Sequence, residues 1–156
     1  MPWFSDEQGS EAWHQARRGV ITGSNFRIAR KKKKNGNPST ASLKYAKDVA
    51  RERLGGEAPG KHQNKAMQTG SEQEPYARTA YEGKTGNMVD EVGFFVSPCG
   101  RFGVSPDGLV NDDGVTEFKT MVSSDTLFTA AVAGDVSEYM DQCLGYLWLL
   151  DRQWID

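Results

Sequence analysis

Residues 105–120 read SPDGLVNDDGVTEFKT, and the placement of their charges decides how the rest of the chain is read. Asp107 follows Pro106, the turn-formers Asn111 to Gly114 come next, and Glu117, Phe118 and Lys119 follow. The segment from Gly114 to Thr120 alternates as a strand, with Val115, Glu117 and Lys119 on one face and Thr116, Phe118 and Thr120 on the other. Asp107 stands at the end of the preceding hairpin strand, where antiparallel pairing can bring it beside Glu117. Two carboxylates that meet repel each other unless a cation stands between them. A hard cation such as Mg²⁺ takes oxygen ligands and keeps several waters, so two carboxylates suffice as its protein anchors. A lysine beside a bound phosphate can then stabilise developing negative charge or help to place a water. The combination points to metal-assisted hydrolysis of a phosphodiester. The bland reading of the same residues is a cross-strand ion pair on a solvated face.

Working outward, VGFFVS (92–97) and RFGVS (101–105) flank the turn PCG and read as a hairpin, and RQWID (152–156) begins another strand. Upstream, SEAWHQARRG is a short helix with Ser10 as N-cap and Gly19 as its stop. Thr22 or Ser24 can cap a second helix, and RKKKKNGNPST is a basic loop. Leu43, Ala46, Ala50 and Leu54 recur at helical spacing, ended by Gly55 and Gly56. Between Lys65 and Tyr81 the residues Met67, Gly70, Ala77 and Tyr81 share one helical face, and Glu74 sits on that same face. A carboxylate on a packing face is costly unless something pairs with it. Pro75 predicts either a kink there or a new helix start. VSEYMDQCLGYLWLLD reads as a helix apolar on nearly all sides, hence largely buried, with Gln142 inside it.

The totals set bounds on this reading. A chain of 156 residues, 37% hydrophobic and 26% charged, suits one globular domain over 1–156 with a modest core. No apolar run approaches the roughly 20 residues that cross a bilayer, and the N-terminal residues lack a signal-peptide pattern. Cys99 and Cys143 are too few for a cysteine-ligated iron–sulfur cluster. Reduced thiols and a cytoplasmic setting follow as expectations. The net charge of −2 excludes a broadly basic protein, so contact with nucleic acid has to use a local basic patch.

Four blocks in order carry a family resemblance: AWHQARRGVITGSNF, GSEQEPYARTAYE, SPDGL with EFK, and YMDQCLGYLWL. The chain resembles the phage lambda exonuclease and YqaJ-type viral recombinases of the PD-(D/E)-x-K nuclease superfamily. The resemblance implies an α/β fold with a restriction-endonuclease-like core, a mixed central sheet flanked by helices. It implies a Mg²⁺-dependent exonuclease, with Mn²⁺ as a substitute, that degrades linear double-stranded DNA from 5′ to 3′ during phage-type recombination. An endonuclease or nickase on the same core, or an inactive DNA-binding module, are the alternatives. Asp107 and Glu117 are then the metal ligands, with the backbone carbonyl of Phe118 as a third, and Lys119 is the catalytic lysine. Glu74 takes the place of the family's helix glutamate, and Gln142 that of the glutamine lining the site; without the family, Gln142 is as readily a buried glutamine bonded to backbone.

Arg17, Ser24 and Ser105 match residues that hold a 5′-terminal phosphate. A guanidinium grips phosphate bidentately, and a serine at a helix N-terminus adds a hydroxyl and free N–H groups. Taken singly, Arg17 is a surface charge and Ser24 an N-cap. Lys31, Lys32, Lys33 and Lys34 form either a solvated mobile loop or a contact for DNA backbone. A single-strand annealing protein is an implied partner and a homo-oligomer an implied assembly, trimeric in relatives. The chain is expected to lack the C-terminal part of those longer relatives, so the ring is not assumed.

Overall fold

The computed structural model describes residues 3–6, 8–57 and 65–156. The chain opens with β1 (Trp3–Phe4) and α1 (Glu11–Ala16), where the Ser10 hydroxyl accepts the Trp13 N–H at 3.2 Å. Gly19 ends this unit at a φ of +68°, and a Cβ there would stand 2.7 Å from Arg53 Cγ, so both backbone and packing require glycine. After β2 (Ile21–Thr22) a single 3₁₀ turn over Gly23–Asn25 leads into α2 (Phe26–Arg30). Neither Thr22 nor Ser24 caps these turns with its side chain; the Thr22 hydroxyl instead accepts from Asn25 Nδ2 at 2.8 Å. The helix α3 (Thr40–Arg53) starts on a Ser39 cap and ends before Gly55, as its spacing predicts.

Pro75 neither ends nor restarts a helix. α4 runs from Lys65 to Thr85 with Pro75 inside it. Proline removes one N–H from the ladder, and the Thr79 hydroxyl bonds back to the Pro75 carbonyl at 3.0 Å, one turn on.

The expected hairpin is present as β3 (Phe94–Val96) and β4 (Phe102–Val104), and a second one as β5 (Gly108–Val110) and β6 (Gly114–Thr116). The chain continues through α5 (Ser124–Leu127), a π-helical turn over Phe128–Val132, α6 (Met140–Leu150) and β7 (Trp154–Ile155). The fold class is the mixed α/β arrangement foreseen, but its strands form two ladders. One has the order β1-β3-β4-β2 with β2 parallel to β4, the other β5-β6-β7 with β7 parallel to β6. Phe95, Val104, Val115 and Tyr146 make the buried centre, with Trp3, Phe26, Leu109 and Ile155 packed around it.

β6 is buried along its whole length, Val115 and Thr116 alike. One expectation needs correction: α6 is not largely buried, for among its residues only Gly145 and Tyr146 are, whereas Leu144 and Trp148 are exposed. Gly145 packs against the Phe26 ring and Tyr146 within the core, with Leu147, Leu149 and Leu150 partly buried against the same cluster.

Candidate active site

The register of the second hairpin places the carboxylates. Gly108 pairs with Thr116, so Asp107, one residue back, comes across from Glu117, one residue on. Glu117 lies just past β6, yet its N–H still donates to the Asp156 carbonyl at 3.0 Å, so its backbone is held. The Phe118 N–H donates to Asp107 Oδ2 at 2.5 Å and locks the two segments together. Burial, and then the charge of Glu117, push the Asp107 carboxyl up to about 8. Burial raises Glu74 as well, and the charges of Glu91 and Glu117 add to that while Arg78 opposes it. The three carboxyls of Asp107, Glu117 and Glu74 therefore act on one another.

Lys119 and Gln142 complete the constellation. Lys119 Nζ donates to Glu117 Oε1, and Gln142 Nε2 donates to the same oxygen at 2.7 Å. Lys119 Nζ also donates to Gln142 Oε1 at 3.1 Å. Glu117, Lys119 and Gln142 thus form a closed triangle of polar contacts. The second carboxylate oxygen, Oε2, is buried without a hydrogen-bond partner among the described residues. A buried anionic oxygen left in that state is costly, and its charge adds to the burial that raises the Asp107 carboxyl.

That is the donor chemistry a hard divalent cation fits: oxygen ligands only, with one oxygen open. Asp107 and Glu117 are the residues that would hold it. Among the described residues no group of three or more His, Cys, Asp or Glu side chains is arranged to hold a metal ion, so water and backbone oxygen would have to supply the remaining ligands.

Three contributors escaped the sequence. Tyr146 is the hub: its hydroxyl accepts from Gln142 Nε2 at 2.7 Å and donates to the Ser105 carbonyl at 3.2 Å. Gly23 packs flat on its ring, where a Cβ would stand 2.4 Å from Tyr146 Cε1. The signal was the spacing, because Gln142 and Tyr146 are four apart on one helix face. Arg78 forks between Glu74 at 2.8 Å and Glu91 at 2.5 Å and so holds the Glu74 carboxylate from behind. It too stands four residues from its partner. Glu91, on the segment before β3, had no readable pattern.

Arg17 is not a surface charge. Its guanidinium lies between two rings, 4.0 Å from the Trp13 centroid and 4.9 Å from that of Phe94. Burial lowers its pKa, and the nearby Tyr146 and Tyr45 partly offset this. No carboxylate pairs with it among the described residues. Ser105 belongs to the same neighbourhood through its carbonyl on Tyr146, while its hydroxyl reaches the Gly93 carbonyl at 3.4 Å. Ser24 is exposed, next to the Gly23 that packs on Tyr146. Lys31 to Lys34 are exposed on a tight turn, where Lys32 bridges to Pro38, away from the carboxylates' polar network.

Residues 12–153 match the YqaJ-like viral recombinase domain. The chain belongs to that family. The structure of this YqaJ-like domain is similar to the crystal structure of an alkaline exonuclease, LHK-Exo, from Laribacter hongkongensis, with a TM-score of 0.80 and 34% identity. The match covers 94% of this chain and 71% of that one, and the same values hold for LHK-Exo in complex with dAMP. A phage-related exonuclease from Haemophilus somnus 129PT shares the fold, with a TM-score of 0.63 and 19% identity over 85% of this chain and 64% of that one. No curated protein matches the sequence.

Proposed function

We propose that this YqaJ-like domain is a Mg²⁺-dependent exonuclease that degrades linear double-stranded DNA from a 5′ end, leaving a 3′ single strand. The observation that carries this reading is the buried Glu117 carboxylate, one oxygen held by Lys119 and Gln142 and the other open beside Asp107. Asp107 and Glu117, with the Phe118 carbonyl, would hold the cation. When bound, Mg²⁺ polarises a phosphoryl oxygen and lowers the pKa of a coordinated water. The protein's own groups do the rest. Lys119, fixed by Glu117 and Gln142, presents a positive charge where negative charge develops in the transition state. Gln142, anchored on the Tyr146 hydroxyl, keeps that ammonium from swinging to solvent. Arg78 aims Glu74 towards the same centre.

The exonuclease part of the reading rests on Arg17. A half-buried guanidinium without an anionic partner among the described residues is a prepared seat for a terminal phosphate, with Ser24 and Ser105 flanking it. Lys31, Lys32, Lys33 and Lys34 neutralise backbone phosphates without regard to sequence. The same reading sets the enzyme in phage-type recombination, in the cytoplasm of a bacterial or infected cell, with an annealing protein to take the 3′ strand and a homo-oligomer as the working assembly.

The decisive experiment offers linear duplex with a 5′ phosphate, linear duplex with a 5′ hydroxyl, and closed circular duplex, each in Mg²⁺. Rapid loss of the phosphorylated linear substrate alone is the expected outcome. Nicking of the closed circle at a comparable rate would replace the exonuclease by an endonuclease.

A further inference from the structure

The α6 residues outside the Gln142–Tyr146 side include Leu144, which is 53% exposed, and Trp148, which is 67% exposed. The Trp148 ring meets Phe102 edge-on at 5.6 Å, and Phe102 meets Phe26 in the same way at 6.4 Å. With Ile21, Ala29 and Arg30 these rings line an open trough of about 410 Å³. Arg30 also belongs to a neighbouring trough of about 680 Å³ that Arg27, Lys31, Lys32 and Asp141 line. An aromatic floor therefore runs into a basic wall. Asp141 is the one carboxylate lining that wall among the described residues, and it is already engaged by Arg30 at 2.6 Å. Arg27 also faces Asp135 on its other side, which leaves Lys31 and Lys32 as the local positive excess on a chain whose net charge is −2.

We propose that this double trough binds single-stranded DNA, with bases stacked on Trp148 and phosphates along Arg27, Lys31 and Lys32. The inference rests on the proposed function, because degrading one strand of a duplex leaves the other unpaired. The chemistry favours that occupant over others. A duplex keeps the faces of its bases stacked inside, so only an unpaired strand can offer them to an exposed indole. A second copy docking through this same patch would set like charges against each other, whereas a polyanion is attracted. Asp141 in the basic wall directly precedes Gln142 of the active site on α6, so a strand in the trough stays close to the place where it was unpaired.

The test measures binding without divalent cation, so that it does not depend on hydrolysis. Anisotropy of a fluorescein-labelled oligothymidylate should show wild-type binding that Trp148→Ala weakens about tenfold, the usual size of one lost base–aromatic stack. The Lys31→Ala/Lys32→Ala double variant should bind with a shallower salt dependence. Oligothymidylate should also quench tryptophan emission, and Trp148→Phe, which keeps an aromatic ring in place, should remove that quenching. Unchanged affinity in Trp148→Ala together with persistent quenching in Trp148→Phe overturns the proposal. So does a Trp148→Ala protein that sediments as a smaller species than wild type and binds the strand as tightly, because the face then joins copies of the chain. A wild type that binds oligothymidylate but never degrades linear duplex would refute the proposed function and leave the trough standing.

Discussion

The carboxylate centre and the Arg17 pocket are opposites that share a design. At the centre, Asp107 and Glu117 crowd two largely buried acids together; one oxygen lacks a partner among the described residues and one carboxyl is pushed up to about 8. At the pocket, a half-buried guanidinium rests on Trp13 and Phe94 with no acid opposite it among the described residues. Burying charge is destabilising unless it is paired, and Glu117 is paired only through one oxygen, with Lys119. The acids and Arg17 are kept apart, with Tyr146 acting on both: it bonds Gln142 at the centre, and the charge of Arg17 acts on its hydroxyl. The contrast teaches that each region is one half of a complex. On the proposed function the acidic half would take a cation and the basic half an anion, the two parties of a metal-dependent attack on a phosphate end.

The strongest way to break the comparison is to remove an acid. Asp107→Ala or Glu117→Ala should lower hydrolysis by about 10³-fold or more, several kcal/mol of lost stabilisation, while DNA binding stays measurable. Titration calorimetry should show divalent binding lost, and full metal affinity in Asp107→Ala would remove its role as a ligand. Lys119→Ala should cost about 10²–10³-fold in turnover, the range for one group that stabilises transition-state charge, yet retain metal. A variant that lost metal as well would make Lys119 a structural partner of Glu117.

The basic half gives a smaller and more selective effect. Arg17→Ala should slow degradation of 5′-phosphorylated duplex about ten- to a hundredfold, the value of a charge-assisted bond of roughly 1.5–3 kcal/mol. The 5′-hydroxyl substrate should be nearly unaffected. Equal slowing on both would assign Arg17 to the packing of Trp13 and Phe94 instead.

The smallest effect is on stability and sharpens the acidic half. Unfolded Asp107 loses its proton near 3.8, whereas the folded carboxyl keeps it to about 8. Between these values the native state binds more protons, so metal-free stability falls as pH rises and levels off above about 8. Melting temperatures taken across that range should decline, Asp107→Asn should flatten the decline, and Mg²⁺ should stabilise most at the alkaline end. A wild-type melting temperature that climbed across the same window would contradict the shared burial of Asp107 and Glu117.

Much of this was legible because it is local. Asp107, Glu117 and Lys119 come together through hairpin register, and register follows from the turn and the alternation around it. Ser10, Gly19 and Gly55 bound their helices by chemistry that depends on neighbours in sequence. The oddly placed Glu74 was visible as a carboxylate on an apolar helical face. Pro75 misled because a proline inside a helix is costly on its own, and the hydrogen bonding on either side of it within a 21-residue helix outweighs that cost. α6 misled because apolar residues around a helix say nothing of which side finds a partner.

The amino-acid sequence by itself determined the chemistry: which acids, which lysine and which arginine the protein has, and the helix and strand periods that carry them. The tertiary structure alone decided their state. It seats Arg17 between two rings from separate segments, and it closes Glu117, Lys119 and Gln142 into one network. It also hangs that network on Tyr146, and it leaves Trp148 in solvent. The physical reason is that burial and pairing are sums over neighbours distant in sequence, and each of these outcomes depends on a partner supplied by another element of the fold.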